Sequence, residues 1–560
     1  MKRFLLLIAF VFISSSSFSE VHEYYFKFQL NDLSLINNLT KIISIDNVKG
    51  NEVYAYANDD ELAAFSKLNI PYEMLPKPSE LYPVQMTDDP QQVLAWDYYP
   101  TYNAYITMMN QFASQHPSLC KIVNAGTTVQ GRSILFAVIS DNVATHEAEP
   151  QFQYSSSMHG DELTGYVLML RMINHLLTNY GTDPKITTMV NNMEIWINPL
   201  GNPDGTYHNG DTTVIGATRY NANGKDLNRN FPDPQDGPYP TGAWQPETIV
   251  YMNLFSANHF VMSANFHGGA EVFNYPWDTW ARLHADDTWW IRIGRQYADT
   301  VHVNAVAGYM DDLNNGITNG YAWYRVAGGR QDYMTYFKHG REVTIELSNT
   351  KLLPPANLPA HWNYNYKSML NYMQQAMYGV TGTVKDSVTL LPLKAMVFTN
   401  SHDIDSAEVY SDSTFGKYYR VILQGTYSIT YSSPGHYSKT VNNIYVKNDS
   451  TTTVNVLLRP FPVSVSNNGT EIPSQYSLGQ NYPNPFNPST TINVSIPSES
   501  EVTLKIYDIS GRETACLIDG KMKAGNYKYN FNASSLSSGI YFYKLSSNGF
   551  SDTKKMILVK

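Results

Sequence analysis

The rhythm of apolar and polar positions changes several times along the chain. Residues 4–13 are an unbroken apolar run behind the basic start Met1-Lys2-Arg3 and ahead of a serine-rich stretch ending Phe18-Ser19-Glu20. Basic, then apolar, then small is the order of a secretory signal peptide, expected over residues 1–19; ten apolar residues are too few to span a bilayer core as a helix. From 20 to 90, short apolar strands (Tyr24-Tyr25-Phe26-Lys27-Phe28, Val53-Tyr54-Ala55-Tyr56) alternate with helical patterns over 33–43 and 60–68. This predicts a small α+β unit, closed by Pro76-Lys77-Pro78 and Tyr82-Pro83. Residues 91–378 interleave apolar strands over 134–139, 194–197, 260–266 and 343–347 with helical patterns such as 162–177, which predicts an α/β sheet covered by helices on both faces. From 379 the helical period stops. Val/Tyr/Thr-rich segments over 381–385, 395–399, 418–423, 425–431 and 453–458 predict a β-sandwich over 379–460. A polar linker over 461–476 leads to a second small sandwich over 477–560, with turn pairs Ser510-Gly511 and Ser538-Gly539. The fold class expected is α/β: a mixed-sheet domain flanked by an N-terminal α+β segment and two C-terminal β-sandwiches.

Composition narrows the function. At 43% hydrophobic the 560 residues can bury several cores, and the net charge of −10 leaves no basic excess to neutralise phosphates, so no nucleic-acid partner is expected. Two cysteines, Cys120 and Cys516, cannot build a disulfide framework or a Cys-rich metal site, and both are expected free. Any metal must then be held by histidine and carboxylate. No stretch after the signal peptide is long and apolar enough to span a bilayer, so no integral membrane segment is expected once it is cleaved.

One constellation has metal-binding chemistry. The strand over 151–156 runs into Met158-His159-Gly160-Asp161-Glu162, where a His and a carboxylate three apart converge on one ion if the loop curls, and Gly160 gives the backbone freedom to do so. An open zinc site needs three protein ligands, and two His with one Glu is a known set. His267, closing the strand over 260–266 ahead of Gly268-Gly269, is the candidate third. His-x-x-Glu alone is a weak signal, equally at home in a solvated loop. On the strand over 343–347, Glu346 is a candidate base if buried and an ordinary solvent-facing strand residue if not; Glu342 lies on the same face by alternation.

His159-Gly160-Asp161-Glu162, Asn202-Pro203-Asp204-Gly205, the segment from Arg219 through Asn228-Arg229-Asn230 to Asp233, Asn265-Phe266-His267-Gly268-Gly269, Asn274-Tyr275-Pro276-Trp277-Asp278 and Glu342-Val343-Thr344-Ile345-Glu346-Leu347-Ser348 together resemble the zinc metallocarboxypeptidase family. The similarity is to its regulatory branch of carboxypeptidases D, E, M and N, over about 96–460 including a transthyretin-like sandwich. The resemblance implies one Zn²⁺ per chain on His159, Glu162 and His267, with Glu346 as catalytic base. It implies Arg219 as the group that polarises the scissile carbonyl, Asn228 and Arg229 as the clamp on the substrate's α-carboxylate, and Tyr324 as the capping tyrosine. Asp226 corresponds to the carboxylate that orients the first zinc histidine. Asp278 and Gln331 stand in the slots that select C-terminal Lys or Arg. The implied activity is release of single residues from peptide or protein C-termini, with a preference for basic ones. The alternatives are a zinc amidase on cell-wall peptides or other non-protein amides, and an inactive peptide-binding or adhesive protein on the same scaffold.

The chain departs from that pattern in three places. Arg330 replaces the usual Met beside Gln331, which puts a positive charge near the specificity pocket. Ser348-Asn349-Thr350-Lys351 lacks the cysteines of animal relatives. The regulatory branch generally has no pro-segment, yet residues 20–90 form a separate unit, an inhibitory prodomain or a folding aid. At the other end, Tyr476-Ser477-Leu478-Gly479-Gln480-Asn481-Tyr482-Pro483-Asn484-Pro485-Phe486-Asn487-Pro488 and Gly539-Ile540-Tyr541-Phe542-Tyr543-Lys544-Leu545 resemble the type A sorting domain of the bacterial type IX secretion system. That resemblance implies the secretion machinery as a partner, and a protein released outside the cell or attached to its surface.

Overall fold

The computed structural model describes residues 22–461, 473–533 and 536–560, so the signal-peptide reading over 1–19 and most of the linker over 461–476 lie outside the described residues. The N-terminal unit is a four-stranded antiparallel sheet of β1 (Glu23–Gln29), β2 (Ser44–Lys49), β3 (Glu52–Asn58) and β4 (Tyr72–Leu75), in the order β2-β3-β1-β4. Alternation splits each strand. Phe26, Phe28, Ile45, Val53 and Ala55 join Phe65 of helix α1 (Asp59–Ser66) in a small core. Tyr25, Ser44, Asp46 and Tyr56 face the other way. Asn58 caps α1 in a capping box with Glu61. The helix expected over 33–43 stops at Leu39, after one 3₁₀ turn and one α-turn. Ile43, at the end of the expected helix, and Ile45 beyond it are buried two positions apart, which is a strand period. The strand gained, β2, becomes decisive at the site.

Eight strands form the central sheet: β5 (Cys120–Thr127), β6 (Ser133–Ile139), β7 (Gln151–Ser156), β8 (Glu194–Asn198), β9 (Phe260–His267), β10 (Glu271–Tyr275), β11 (Ile317–Asn319) and β12 (Arg341–Leu347). Their order is β11-β10-β12-β9-β7-β8-β6-β5, with β12, β9, β7 and β8 mutually parallel. Helices α2 (Tyr102–Gln115), α3 (Thr164–Asn179), α5 (Asp287–Asn304) and α7 (Leu358–Gln374) contribute to the large core on one face; α4 (Pro246–Ala257) and α6 (Arg330–Phe337) pack on the other. Buried parallel strands usually read as continuous apolar runs. Here they do not. Phe152 and Tyr154, Ala264 and Phe266, Val343 and Ile345 fill the large core, whereas the alternate positions Gln153 and Ser155, Ser263 and Asn265, Glu342 and Thr344 are polar and buried. These polar side chains form a column that climbs to the carboxyl ends of the strands, where ligands of parallel sheets bind.

Beyond 379, two small sheets built on Gly379–Asp386 and Gly425–Ser432 enclose Val384, Val397, Ile429 and Tyr431. From 477, a three-stranded and a four-stranded antiparallel sheet enclose Ile492, Val494, Leu504 and Tyr543. Both cysteines are free. The first sandwich is tied to the α/β domain by buried charge. Asp286, at the start of α5, accepts from Arg341 Nε at 2.8 Å and from both Arg420 Nη atoms at 3.0 Å, and Arg420 Nη2 also donates to Asp403 at 2.6 Å. Burial would raise the Asp286 carboxyl, but the two guanidiniums outweigh it and hold it far below the usual carboxylate range. Asp286→Asn strips the charge from two buried arginines. It is expected to cost about 3–5 kcal/mol, read as a fall in the melting temperature of the α/β–sandwich pair. A melting point within about 1 °C of wild type would show that the network carries no stability.

Candidate active site

The loop after β7 starts at Ser157, which takes a left-handed φ of 57°, and turns Glu162 away from α3, which begins at Thr164 rather than at the expected 162. His159 and Glu162 thereby meet His267, the last residue of β9. One donor atom from each lies within 4.8 Å of the other two, and all three residues are buried. The two Nδ1 atoms are 3.0 Å apart; His159 Nδ1 is 3.0 Å from Glu162 Oε1 and His267 Nδ1 is 2.7 Å from Oε2. The far sides of both rings are engaged. His159 Nε2 lies 3.0 Å from Asp226 Oδ1, and His267 Nε2 lies 2.7 Å from the Asn265 amide, whose Oδ1 has no donor. A half-turn of that amide satisfies both atoms. Protons held on Nε2 leave two Nδ1 lone pairs and a carboxylate converging on one point, which fits a tetrahedral N₂O cation site with an open position.

The other candidates surround this point. β9 and β12 run in register with His267 beside Glu346. Glu346 lines the same cavity, and its Oε2 is buried without a partner; burial and the neighbouring Glu162 push its carboxyl well above the usual range, against Lys351. Arg219 is buried, donating to Asp226 from Nε at 3.0 Å and to Glu162 from Nη1 at 3.3 Å. Asp226 caps the 3₁₀ turn Leu227–Arg229 by accepting from Asn228 N, which aims Asn228 and Arg229 into the cavity. Tyr324 lines the opposite wall. Asp278 accepts from Asn274 and Gln331, both at 3.1 Å, while Asn274 Oδ1 and Gln331 Oε1 are buried with no donor. Gly320 is required here by close approach: a Cβ would fall 1.7 Å from Asp278 Oδ1.

Arg330 is a correction. The positive charge expected in the specificity pocket is not there. The side chain is fully buried and runs beneath the pocket, where Nε donates to Glu342 at 2.8 Å and Nη1 to Ser155 at 2.5 Å; only its backbone N touches the clamp, at Asn228 Oδ1. Glu342, one step down the polar column from Thr344, neutralises it.

Two residues that sequence reasoning did not single out stand at the centre. Lys351 Nζ lies 2.6 Å from Glu162, 2.7 Å from Asp46 and 3.2 Å from the Gly268 carbonyl. Asp46 comes from β2 of the N-terminal unit and also lies 3.6 Å from Arg219. Beside it, the Ile45 carbonyl accepts from Arg229 at 3.3 Å and Ser44 Oγ donates to Asp226 at 2.7 Å. Tyr56 OH donates to Asp161 at 2.6 Å. With β2 in place the cavity holds about 30 Å³, room for no more than a few waters.

The comparisons with known proteins agree with this geometry. The zinc carboxypeptidase family matches residues 105–368, and the secretion system C-terminal sorting domain matches 480–560. Carboxypeptidase D of Rattus norvegicus is 36% identical over 371 residues, covering 62% of this chain and 26% of that protein. The chain thus spans about a quarter of the length of that relative. Carboxypeptidase M of Mus musculus is 34% identical over 352 residues, covering 59% of this chain and 76% of that one. The chain belongs to the zinc carboxypeptidase family. The crystal structure of carboxypeptidase A from Helicoverpa armigera shares the fold, with a TM-score of 0.51 at 17% identity over 64% of this chain and 98% of that one. The zinc of the family matches the ligand geometry of His159, Glu162 and His267. Among the described residues no helix is long and apolar enough to cross a membrane.

Proposed function

We propose that the chain is an exported zinc carboxypeptidase that removes single residues, preferentially Arg or Lys, from peptide and protein C-termini. The observation that carries this reading is one cavity in which the three convergent ligands, a buried carboxylate with an unspent oxygen (Glu346) and two arginines (Arg219, Arg229) share a wall. Zinc on His159, Glu162 and His267 supplies Lewis acidity toward the scissile carbonyl and acidifies the attacking water. Arg229 and Asn228 grip the terminal carboxylate in a charge-assisted fork, which selects a free C-terminus over a blocked amide and disfavours a general amidase. Arg219 donates to the carbonyl oxygen as charge builds on it. Glu346, raised by burial, takes the water's proton and returns it to the leaving amine. Asp226 holds the His159 tautomer and Arg219 together, and Tyr324 closes over the bound residue.

Selectivity follows from the pocket floor. Asn274 Oδ1 and Gln331 Oε1 are buried acceptors in want of donors beside the Asp278 carboxylate, and a guanidinium or ammonium supplies both the donors and the opposite charge. Asp278→Asn is expected to lower kcat/KM for C-terminal Arg by about 100-fold while leaving C-terminal Leu or Phe within a few-fold. Equal losses on both classes in a peptide-panel assay would refute the basic preference. The sorting domain supports export through the type IX machinery to the medium or the cell surface.

The reading is tested on chain freed of residues 22–90, by mass spectrometry of peptides with free and amidated C-termini. Expected are about one zinc per chain, stepwise release of free C-terminal residues, loss of activity with a chelator and its return with Zn²⁺. No release, or equal cleavage of amidated peptides, would overturn it.

A further inference from the structure

A large cleft of about 810 Å³ lies far from the catalytic cavity. It opens at the entering ends of the parallel strands, where Gln151 and Glu194 begin β7 and β8 and His259 immediately precedes β9, roughly 25 Å along the strand from His267. Its other wall is the first sandwich, through Lys394, Tyr410 and residues 411–414. The volume is in the range of small-molecule sites.

The charges in the cleft are unequally spent. Its two carboxylates are saturated from within the protein. Glu194 accepts from Gln151 at 2.7 Å, from Trp196 Nε1 at 2.6 Å, and faces His146. Asp412 accepts backbone N–H groups of Thr414, Phe415 and Lys417. The donors are not saturated. Lys338, just past the end of α6, donates to Ser256 Oγ at 2.8 Å and lies 5.5 Å over the Tyr333 ring but meets no carboxylate, and the Lys394 ammonium across the cleft makes no hydrogen bond or ion pair among the described residues. Burial and then Lys394 push the Lys338 amine down, so the two cations sense each other. The His259 ring makes no hydrogen bond, and burial drives its pKa down to about 4, with His339 and Lys394 acting the same way against Asp412. An imidazole and two ammoniums without a carboxylate partner thus line one cleft, in a chain whose net charge is −10. Trp196, Phe255 and Tyr410 add apolar walls.

We infer that this cleft, shared between the α/β domain and the first sandwich, binds a small amphiphilic anion, a phosphate, sulfonate or carboxylate carried on an aromatic or aliphatic body. Lys338, Lys394 and the His259 N–H receive the anionic head, and the aromatic walls receive the body. The site goes beyond the peptidase reading and does not depend on it, and it gives the sandwich a role as half of a binding site.

The probe is phenyl phosphate, titrated calorimetrically into the full chain, where β2 blocks the catalytic cavity. Saturable binding with Kd below about 1 mM is expected, with inorganic phosphate at least about tenfold weaker for want of the body. Lys394→Glu, exposed and outside any buried network, should weaken phenyl phosphate at least about tenfold, and His259→Leu severalfold, with melting temperature and peptidase kinetics unchanged. Absence of saturable binding, binding undiminished in Lys394→Glu, or equal affinity for phosphate and phenyl phosphate would each overturn the inference. Should either variant melt early, Lys394→Met gives the same comparison without charge reversal.

Discussion

Glu346→Gln is expected to lower kcat by about 10² to 10⁴-fold while KM for a C-terminal Arg peptide stays within a few-fold and zinc content is unchanged. The expectation rests on where the side chain lies. Glu346 stands beside His267 in register, on the polar face of β12, with one oxygen buried and unpartnered. Of the carboxylates that line the cavity, Glu162 is taken by the histidines and Lys351, Asp278 by Asn274 and Gln331, and Asp46 by Tyr25 and Lys351. Only Glu346 is free to move a proton. Glutamine keeps the volume and loses the base, so binding through Arg229 and Asn228 survives while the chemical step fails. A variant with kcat within about threefold of wild type would remove Glu346 from the mechanism and pass the role to a water relay.

The parts of this site that were legible in the sequence are those whose chemistry needs several residue types at fixed spacing. His159 and Glu162 on one loop, Asn228 and Arg229 beside Asp226, and Asn274 ahead of Asp278 are each set by a local turn, so short motifs carry them. The strand over 343–347 was legible as a strand. That its Glu faced inward was legible only through the family resemblance, because alternating Glu, Thr and Glu reads equally as a solvent face; the column formed with Ser263, Asn265 and Ser155 decides it physically, and that column exists only once three strands are paired. Arg330 was placed correctly in sequence and wrongly in space for the same reason. Its direction is fixed by Glu342 twelve residues on, and no local period reveals that pairing. The strand Ser44–Lys49 was missed because Ile36, Leu39 and Ile43 satisfy a helical spacing that ends at 43 and leaves only Ile45 and Val48 as apolar residues beyond it, and with it went Asp46, whose role depends wholly on a partner domain.

That missed strand leads to the other large effect. Cutting the chain between the N-terminal unit and the α/β domain, and removing residues 22–90, is expected to raise kcat/KM by about 100-fold or more. Ser44, Ile45 and Asp46 occupy the groups a substrate needs: Asp226, Arg229, and Arg219 with Lys351. The remaining space cannot admit a peptide end. Farther out, Asn47 donates to the Gly269 carbonyl at 2.9 Å, Asn58 to the Gly224 carbonyl at 3.0 Å, and Tyr220 OH to Glu61 at 2.7 Å, so the plug is held on both sides of the cavity. A blocker tethered to its own target acts at an effective concentration in the millimolar range, which outcompetes substrate at ordinary levels. Asp46→Ala weakens the plug without removing it, and a rise of about tenfold in the uncut chain is expected. The measurement is peptidase activity before and after cleavage at a protease site introduced into the proline-bearing stretch over 76–85, with the N-terminal fragment separated. Equal activity in cut and uncut chain would mean that the unit lifts away unaided and serves folding instead, and Asp46→Ala would then leave the rate unchanged as well.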